Sequence, residues 1–424
     1  MKLAGKINLA LLLMILLPGI AFAQQETRET REANKFIGLA MVRQDPAERV
    51  DMYRQAVEQL RPLMAANTDN PLVWLLAGTA LAGMGEIEEA DRAFTRAQEM
   101  HPAYAEEIQI EREGAWLAIF NQGIQHMDQQ RYPEAIAAME SAQTIYGERP
   151  EALMNLGALY ANAGEYLKAE QALRQAIAAT GGPLYGELEP EQKAEWDRFR
   201  AMATANVAQI QAQQGIESFE GEQFDSAAAR FLRAAETNPH ARDYWFNYGQ
   251  ALWAMSTPME ASLEGATQAD SARVFEQLGD LYSRIQFAAQ KAREFDPNND
   301  VLYLMEARTH RMSGEFGSAA QREAGHQQAL RLLESHDALT VHIDNVSTQP
   351  DEEGNVVISG QLTNVKAAES SSITLRFTLL GHEGDALATQ DVVVSVPATE
   401  QVVTFDATVP VEGEIAGWKY VIAG

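Results

Sequence analysis

Eight histidines, sixty carboxylates and no cysteine bound the chemistry open to this 424-residue chain. The histidines are His101, His126, His240, His310, His326, His336, His342 and His382. No two of them stand four apart with a glutamate beside them, the spacing that puts two imidazoles and a base on one helical face. They read as isolated surface or turn residues. Asp296-x-Asn298-x-Asp300 opens like a calcium loop, in which alternating oxygens wrap the ion, but Val301 stands where glycine is required and Ala307 where a bidentate glutamate is required. That segment reads as a turn. The lack of cysteine removes disulfides, thiolate zinc sites and thiol nucleophiles together. A phosphate-cradling Gly-Lys-Ser/Thr loop, a dinucleotide fingerprint and a Gly-x-Ser-x-Gly elbow are all missing from the sequence. Carboxylates are so abundant that any one acid pair is uninformative as an acid–base couple. The expectation is a chain that is not an enzyme and that holds no metal and no cofactor.

The 33 basic and 60 acidic residues leave a formal charge of −27. A chain of that sign repels phosphate, and no local basic patch offsets it, so nucleic acid is excluded as a partner class. With 46% apolar and 22% charged residues the sequence folds rather than staying disordered, and its length calls for more than one core.

Lys2 and Lys6 precede the apolar run Leu9 to Leu17, Pro18-Gly19 break it, and Ala21-Phe22-Ala23 follows with small residues where a signal peptidase reads. Residues 1–23 are therefore expected to be a signal peptide cleaved after Ala23. The run is nine residues, too short to span a bilayer, so no stable membrane insertion is expected after cleavage. The expected location is periplasmic or secreted.

Residues 24–33 read as a polar linker, and residues 34–336 as helices with apolar and alanine positions at helical period, separated by short Gly, Pro or Asn breaks. Self-similarity organises this stretch. Trp74, Gly78, Leu81, Ala90, Phe94, Ala97 and Pro102 recur as Leu153, Gly157, Tyr160, Ala169, Leu173 and Ala176, and again as Gly215, Ala227, Phe231, Ala234 and Pro239. Gly123, Ala135, Met139 and Ala142 stand 34 residues ahead of the Gly157 set, and Trp245, Tyr248, Gly249 and Leu252 follow with Gly249 again 34 after Gly215. Residue types and period together resemble the tetratricopeptide repeat. The resemblance implies a mainly α fold: a right-handed α-solenoid of about five to seven helix pairs. Regularity fails between Gly78 and Gly123, between Gly157 and Gly215, and after Trp253, where Ser256-Thr257-Pro258 is expected to interrupt the helix until about Val274. Residues 34–70 and 298–336 resemble degraded terminal units, the latter with Ala307 and Ala319.

Beyond Asp337 the period changes to alternation, in runs at 339–343, 356–362, 373–379, 392–396, 402–409 and 418–422. Residues 338–424 are expected to form a small antiparallel β-sandwich of immunoglobulin-like type. Ile358-x-Gly360-x-x-x-Asn364 and the Phe377 strand resemble the FxLYD modules of bacterial envelope proteins, with Leu380-Gly381 in place of that family's Tyr-Asp. Trp418 and Tyr420 share one face of the last strand, either in the core or stacking on a sugar.

The repeat resemblance also implies a groove lined by first helices that takes a protein or peptide. By alignment its positions are Phe120, Asn121, Ile124 and Met127, then Met154 and Asn155, then Ile216 and Phe219, then Phe246, Asn247, Gln250 and Trp253. No Lys or Arg is among them, so an apolar or neutral segment is the expected occupant. The reading is a non-enzymatic exported adaptor of the cell envelope; a structural spacer and a glycan-binding sandwich are the alternatives. No pattern in the sequence sets an oligomeric state.

Overall fold

The computed structural model describes residues 26–263, 268–315, 318–411 and 413–423. The expected signal peptide lies outside the described residues. Among the described residues fifteen α-helices precede six strands, and the chain separates into two compact units, Met1–Ala152 and Leu153–Gly424.

The first unit holds α1 (Arg28–Val42), α2 (Pro46–Ala65), α3 (Pro71–Met84), α4 (Ile87–Met100), a 3-10 turn (Pro102–Tyr104), α5 (Ala105–Asp128) and α6 (Tyr132–Ile145). Its first helix begins inside the stretch expected to be a polar linker. The reason is local: Thr27 Oγ1 accepts from the Thr30 N–H and Thr30 Oγ1 accepts from the Thr27 N–H, a reciprocal cap. Thr30, Ala33, Ile37 and Ala40 then bury one stripe of the helix. The excess between Gly78 and Gly123 is taken up by the 3-10 turn and by the 24 residues of α5. Arg112 on α5 binds this layer together, donating to Asp91 Oδ1 on α4 and to the Ile145 carbonyl at the end of α6, the latter at 2.8 Å.

The second unit holds most of α7 (Pro150–Asn162), then α8 (Tyr166–Ala179), α9 (Pro183–Glu187), α10 (Pro190–Glu220), α11 (Phe224–Thr237), α12 (Arg242–Ala261), α13 (Gln268–Arg293), α14 (Asp300–Glu315) and α15 (Ala319–Ala338). The excess after Gly157 is built as the short α9 and an extended, 31-residue α10.

One contact explains why the repeat residues recur. A Cβ added at Gly78 would lie 2.5 Å from the Phe94 ring, at Gly123 2.7 Å from Met139, at Gly157 2.6 Å from Leu173 and at Gly215 2.8 Å from Phe231. Each large residue stands 16 positions after its glycine. Glycine on the first helix is thus the seat for a large side chain from the second, and the fully buried alanines of the second helix let the backbones close up. Gly249 breaks the rule, facing Met305 and Ala288 instead, because its second helix is displaced by an insertion. The last pair is a true unit. Tyr303 bonds back six residues to the Pro297 carbonyl as Trp245 does to Pro239 and Trp74 to Thr68. Its close approach uses Gly314 and Gly325, not Ala319, which is exposed.

The expected break at Ser256-Thr257-Pro258 does not occur; α12 continues to Ala261. Pro258 sits in the final turn, so the bond it cannot make interrupts the ladder only three residues before the helix ends, and the Ser256 and Thr257 hydroxyls both donate to the Trp253 carbonyl. Likewise α13 starts at Gln268, ahead of Val274.

The strands are β1 (Val341–Pro350), β2 (Val356–Asn364), β3 (Ser372–Leu380), β4 (Ala386–Ser395), β5 (Val402–Val409) and β6 (Gly417–Ala423). They form two antiparallel three-stranded sheets, ordered β1-β2-β5 and β4-β3-β6. Ile343, Ile358, Leu362, Leu375, Phe377, Val394, Phe405, Trp418 and Tyr420 share the core. Gly360 pairs with Phe405, whose ring fills the space a Cβ would take. Asn364 is fully buried and pins the loops by accepting from the Ala367 N–H and donating to the Ala367 and Pro397 carbonyls.

Candidate partner-binding groove and the docked β module

A cleft lies beside the last turns of α10. Residues Gly164 to Lys168 at the start of α8, Gln214, Glu217 and Ser218 on α10, Gln223 just before α11 and Arg230 on it line an open groove, which continues along α8 past Glu170 and Arg174. A polar chain reaches it through Glu170 and Arg174. The buried Gln211 donates to Glu170 at 2.8 Å and accepts from the Thr237 hydroxyl at 3.3 Å, while Arg174 pairs with Glu170 at 2.8 Å. Leu167 stands in the wall with 75% of its surface exposed. An apolar side chain among amides and hydroxyls that both donate and accept can anchor a partner side chain and hydrogen-bond its backbone.

The structure sorts the twelve aligned groove positions differently. Phe120, Met154 and Asn155 are buried; Phe120 stacks on the fully buried Trp116 with centroids 4.8 Å apart. Asn121 and Ile216 are exposed, and Ile124, Met127, Asn247 and Gln250 are half-buried. Phe219, Phe246 and Trp253 pack on the core formed by α11 to α14. The Arg242 guanidinium lies 4.3 Å over the Phe246 ring and that of Arg308 4.6 Å over Trp253. So arginines do stand at these positions, supplied by α12 itself and by α14, which single-position alignment does not register. Leu167 and Arg230 were missed because they lie on second helices; the available signal was an apolar residue on an otherwise polar face, Tyr166-Leu167-Lys168.

Trp418 and Tyr420 are 3% and 2% exposed, which removes them as a sugar-stacking platform. The β module docks on the helices instead. Asn238 Nδ2 donates to the Ala416 carbonyl at 2.6 Å, the Ile343 N–H to the Asn298 carbonyl at 3.1 Å, and the Tyr420 N–H to the Phe295 carbonyl at 3.3 Å. Leu380 enters the helical core. At the centre, Asp296, 1% exposed, accepts from the Tyr420 hydroxyl at 2.9 Å and from Asn299 at 3.1 Å, and pairs with Arg242 at 2.9 Å. Tyr420 in turn accepts from the Asn298 N–H at 3.1 Å. Burial pushes the Asp296 carboxyl up to about 6, against the pull of Arg242 and the hydrogen bonds. Burial, then Asp296, holds the Tyr420 phenol protonated far above its usual range. The calcium-loop look-alike is therefore the inter-repeat turn it was expected to be, with its polar side chains used for docking.

The histidines are not all isolated. His336 and His342 lie with ring centroids 5.1 Å apart, on the last turn of α15 and on β1, where neither spacing nor periodicity signals the approach.

Among the described residues no helix is long and apolar enough to cross a membrane. A search of the curated proteins finds no match. Among solved structures, MamA AMB-1 shares 16% identity over 54% of this chain and 92% of its own, with a TM-score of 0.26. The P58(IPK) TPR domain shares 13% over 72% and 99%, also with a TM-score of 0.26. The tetratricopeptide repeat family model matches residues 120–183 and 203–257. Those matched stretches contain three of the glycine seats, at Gly123, Gly157 and Gly215, so the sequence match and the packing identify the same units, and the chain carries tetratricopeptide repeats ahead of a docked β-sandwich.

Proposed function

We propose that this chain is a non-enzymatic scaffold that holds a polypeptide on its helical repeats, in the groove between α8, α10 and α11. The observation that carries the reading is Leu167, a large apolar side chain left in water beside backbone-binding amides and the guanidinium of Arg230. An extended or helical segment with an apolar anchor and a largely neutral flank fits that lining. The partner belongs to the cell envelope, because the first 23 residues have the charge, apolar core and small-residue ending of a signal peptide. The mature chain isolated from its own envelope is expected to begin at Gln24. Amino-terminal sequencing checks this, and an uncleaved Met1 would overturn the export reading.

Partner capture is tested by cross-linking the mature chain in its own envelope and identifying the conjugates by mass spectrometry. Leu167→Glu is expected to lower the yield of a reproducible conjugate by about tenfold, with stability changed by no more than about 0.5 kcal/mol, since the side chain is on the surface. Phe246 and Trp253 are unsuitable for this test, because both support the core. Equal capture by Leu167→Glu and the parent chain would sink the groove assignment and favour a spacer role.

A further inference from the structure

The approach of two histidines at the foot of the β module has a third participant. Asp300 is the first residue of α14, His336 lies in the last turn of α15 and His342 is the second residue of β1. One ligand atom from each lies within 4.8 Å of the other two, and His342 Nδ1 is 3.9 Å from Asp300 Oδ2. That separation is too long for a hydrogen bond and is somewhat wider than the about 3.3 Å between neighbouring ligand atoms around a tetrahedral ion with 2.0–2.1 Å bonds. Small rotations of three side chains on three separate elements would close it.

Two further observations point to a ligand. Nε2 of His336 is buried without a hydrogen-bond partner among the described residues, an arrangement that costs free energy unless something binds there. His336 Nδ1 is 3.2 Å from the Asp337 carboxylate, which can only accept, so Nδ1 carries the proton and Nε2 presents its lone pair. A carboxylate behind a histidine is how metal-binding imidazoles are oriented and made more basic. The Tyr303 ring meets His336 edge-on and limits its swing. The three side chains are between 16% and 32% exposed, which leaves an approach for an ion and for a water or partner oxygen completing its shell.

We infer that Asp300, His336 and His342 form a binding site for a divalent transition-metal ion of the zinc class, which clamps the last helix pair to the first strand of the β module. Two imidazoles and one carboxylate suit that class and suit magnesium or calcium poorly, since those ions take oxygen ligands. The site needs no part of the partner-binding groove.

The full chain, stripped with chelator, is titrated with zinc chloride by calorimetry, and cobalt(II) is added in parallel as a spectroscopic probe. One saturable equivalent of zinc is expected, with a raised unfolding temperature and the intense visible absorption of four-coordinate cobalt. His342→Gln and His336→Gln should each weaken binding at least tenfold and abolish the thermal shift, with unchanged far-ultraviolet circular dichroism. Asp337→Asn keeps all three ligands but should weaken binding about 10- to 100-fold, the usual effect of losing such a support. No saturable binding, or one equivalent that survives in the His336→Gln/His342→Gln double variant, would overturn the site.

Discussion

Gly417→Ala is expected to separate the β module from the helices while leaving each part folded. A Cβ at this position would overlap the carbonyl oxygen of His240 and fall 2.6 Å from its carbonyl carbon. Both are backbone atoms, so no side-chain rotation relieves the overlap. Nor can β6 slide away, because Gly417 is in register with Leu380 of β3, which itself enters the helical core. The neighbouring bond from Asn238 to the Ala416 carbonyl would break as the strand moved, leaving a buried amide unpaired at about 1–3 kcal/mol. With the overlap added, the total is about 3–5 kcal/mol, in the range that marks a specific structural failure. The expected result is two unfolding transitions in place of one, with protease cutting near Leu339–Thr340, between α15 and β1. Gly186→Ala is the control, since nothing lies within 4 Å of a Cβ there. A single transition at the parent temperature would show that the module is not held by this contact.

Arg242→Ala should destabilise the chain by about 3–5 kcal/mol at pH 7.5, the usual loss when one partner of a buried ion pair is removed. Asp296 would keep its bonds from Tyr420 and Asn299 but lose the only guanidinium against it among the described residues. The loss is expected to depend on pH, with a definite sign. Asp296 in the folded chain titrates at about 6, above the ordinary 3.8. Its contribution to stability is therefore full below about pH 4 and declines as pH rises through 6, since only the folded form still holds the proton there. Without Arg242 the folded value rises further, so the decline continues to higher pH. The gap between variant and parent should be widest near pH 8 and narrow below pH 6, where both carboxyls are neutral. Urea unfolding at pH 5.5 and pH 8 measures it. A pH-independent gap would mean that Arg242 acts only by packing, through its contact with Phe246.

The sequence by itself determined the local architecture, because the information is local. Gly and the large residue 16 positions later, with alanines between, specify one helix pair without reference to the rest of the chain. Alternation over five to eight residues specifies each strand, and the glycine turns follow from residues near in sequence. The start of α1 escaped because charged residues read as a linker until Thr27 is seen to cap them. Pro258 misled because its cost depends on how close it lies to a helix end. Only the tertiary structure decided the sites. Whether Phe120 or Asn155 faces a groove or the core depends on the neighbouring helices, and the guanidiniums over Phe246 and Trp253 come partly from a helix dozens of residues away. The groove at Leu167 is lined from three helices, α8, α10 and α11, that only packing brings together. The pairing of Asp296 with Tyr420, 124 residues apart, and the meeting of Asp300, His336 and His342 follow from the module folding back on the helices. Such contacts carry no period and no fixed spacing, since they are set by where two separately specified parts come to rest.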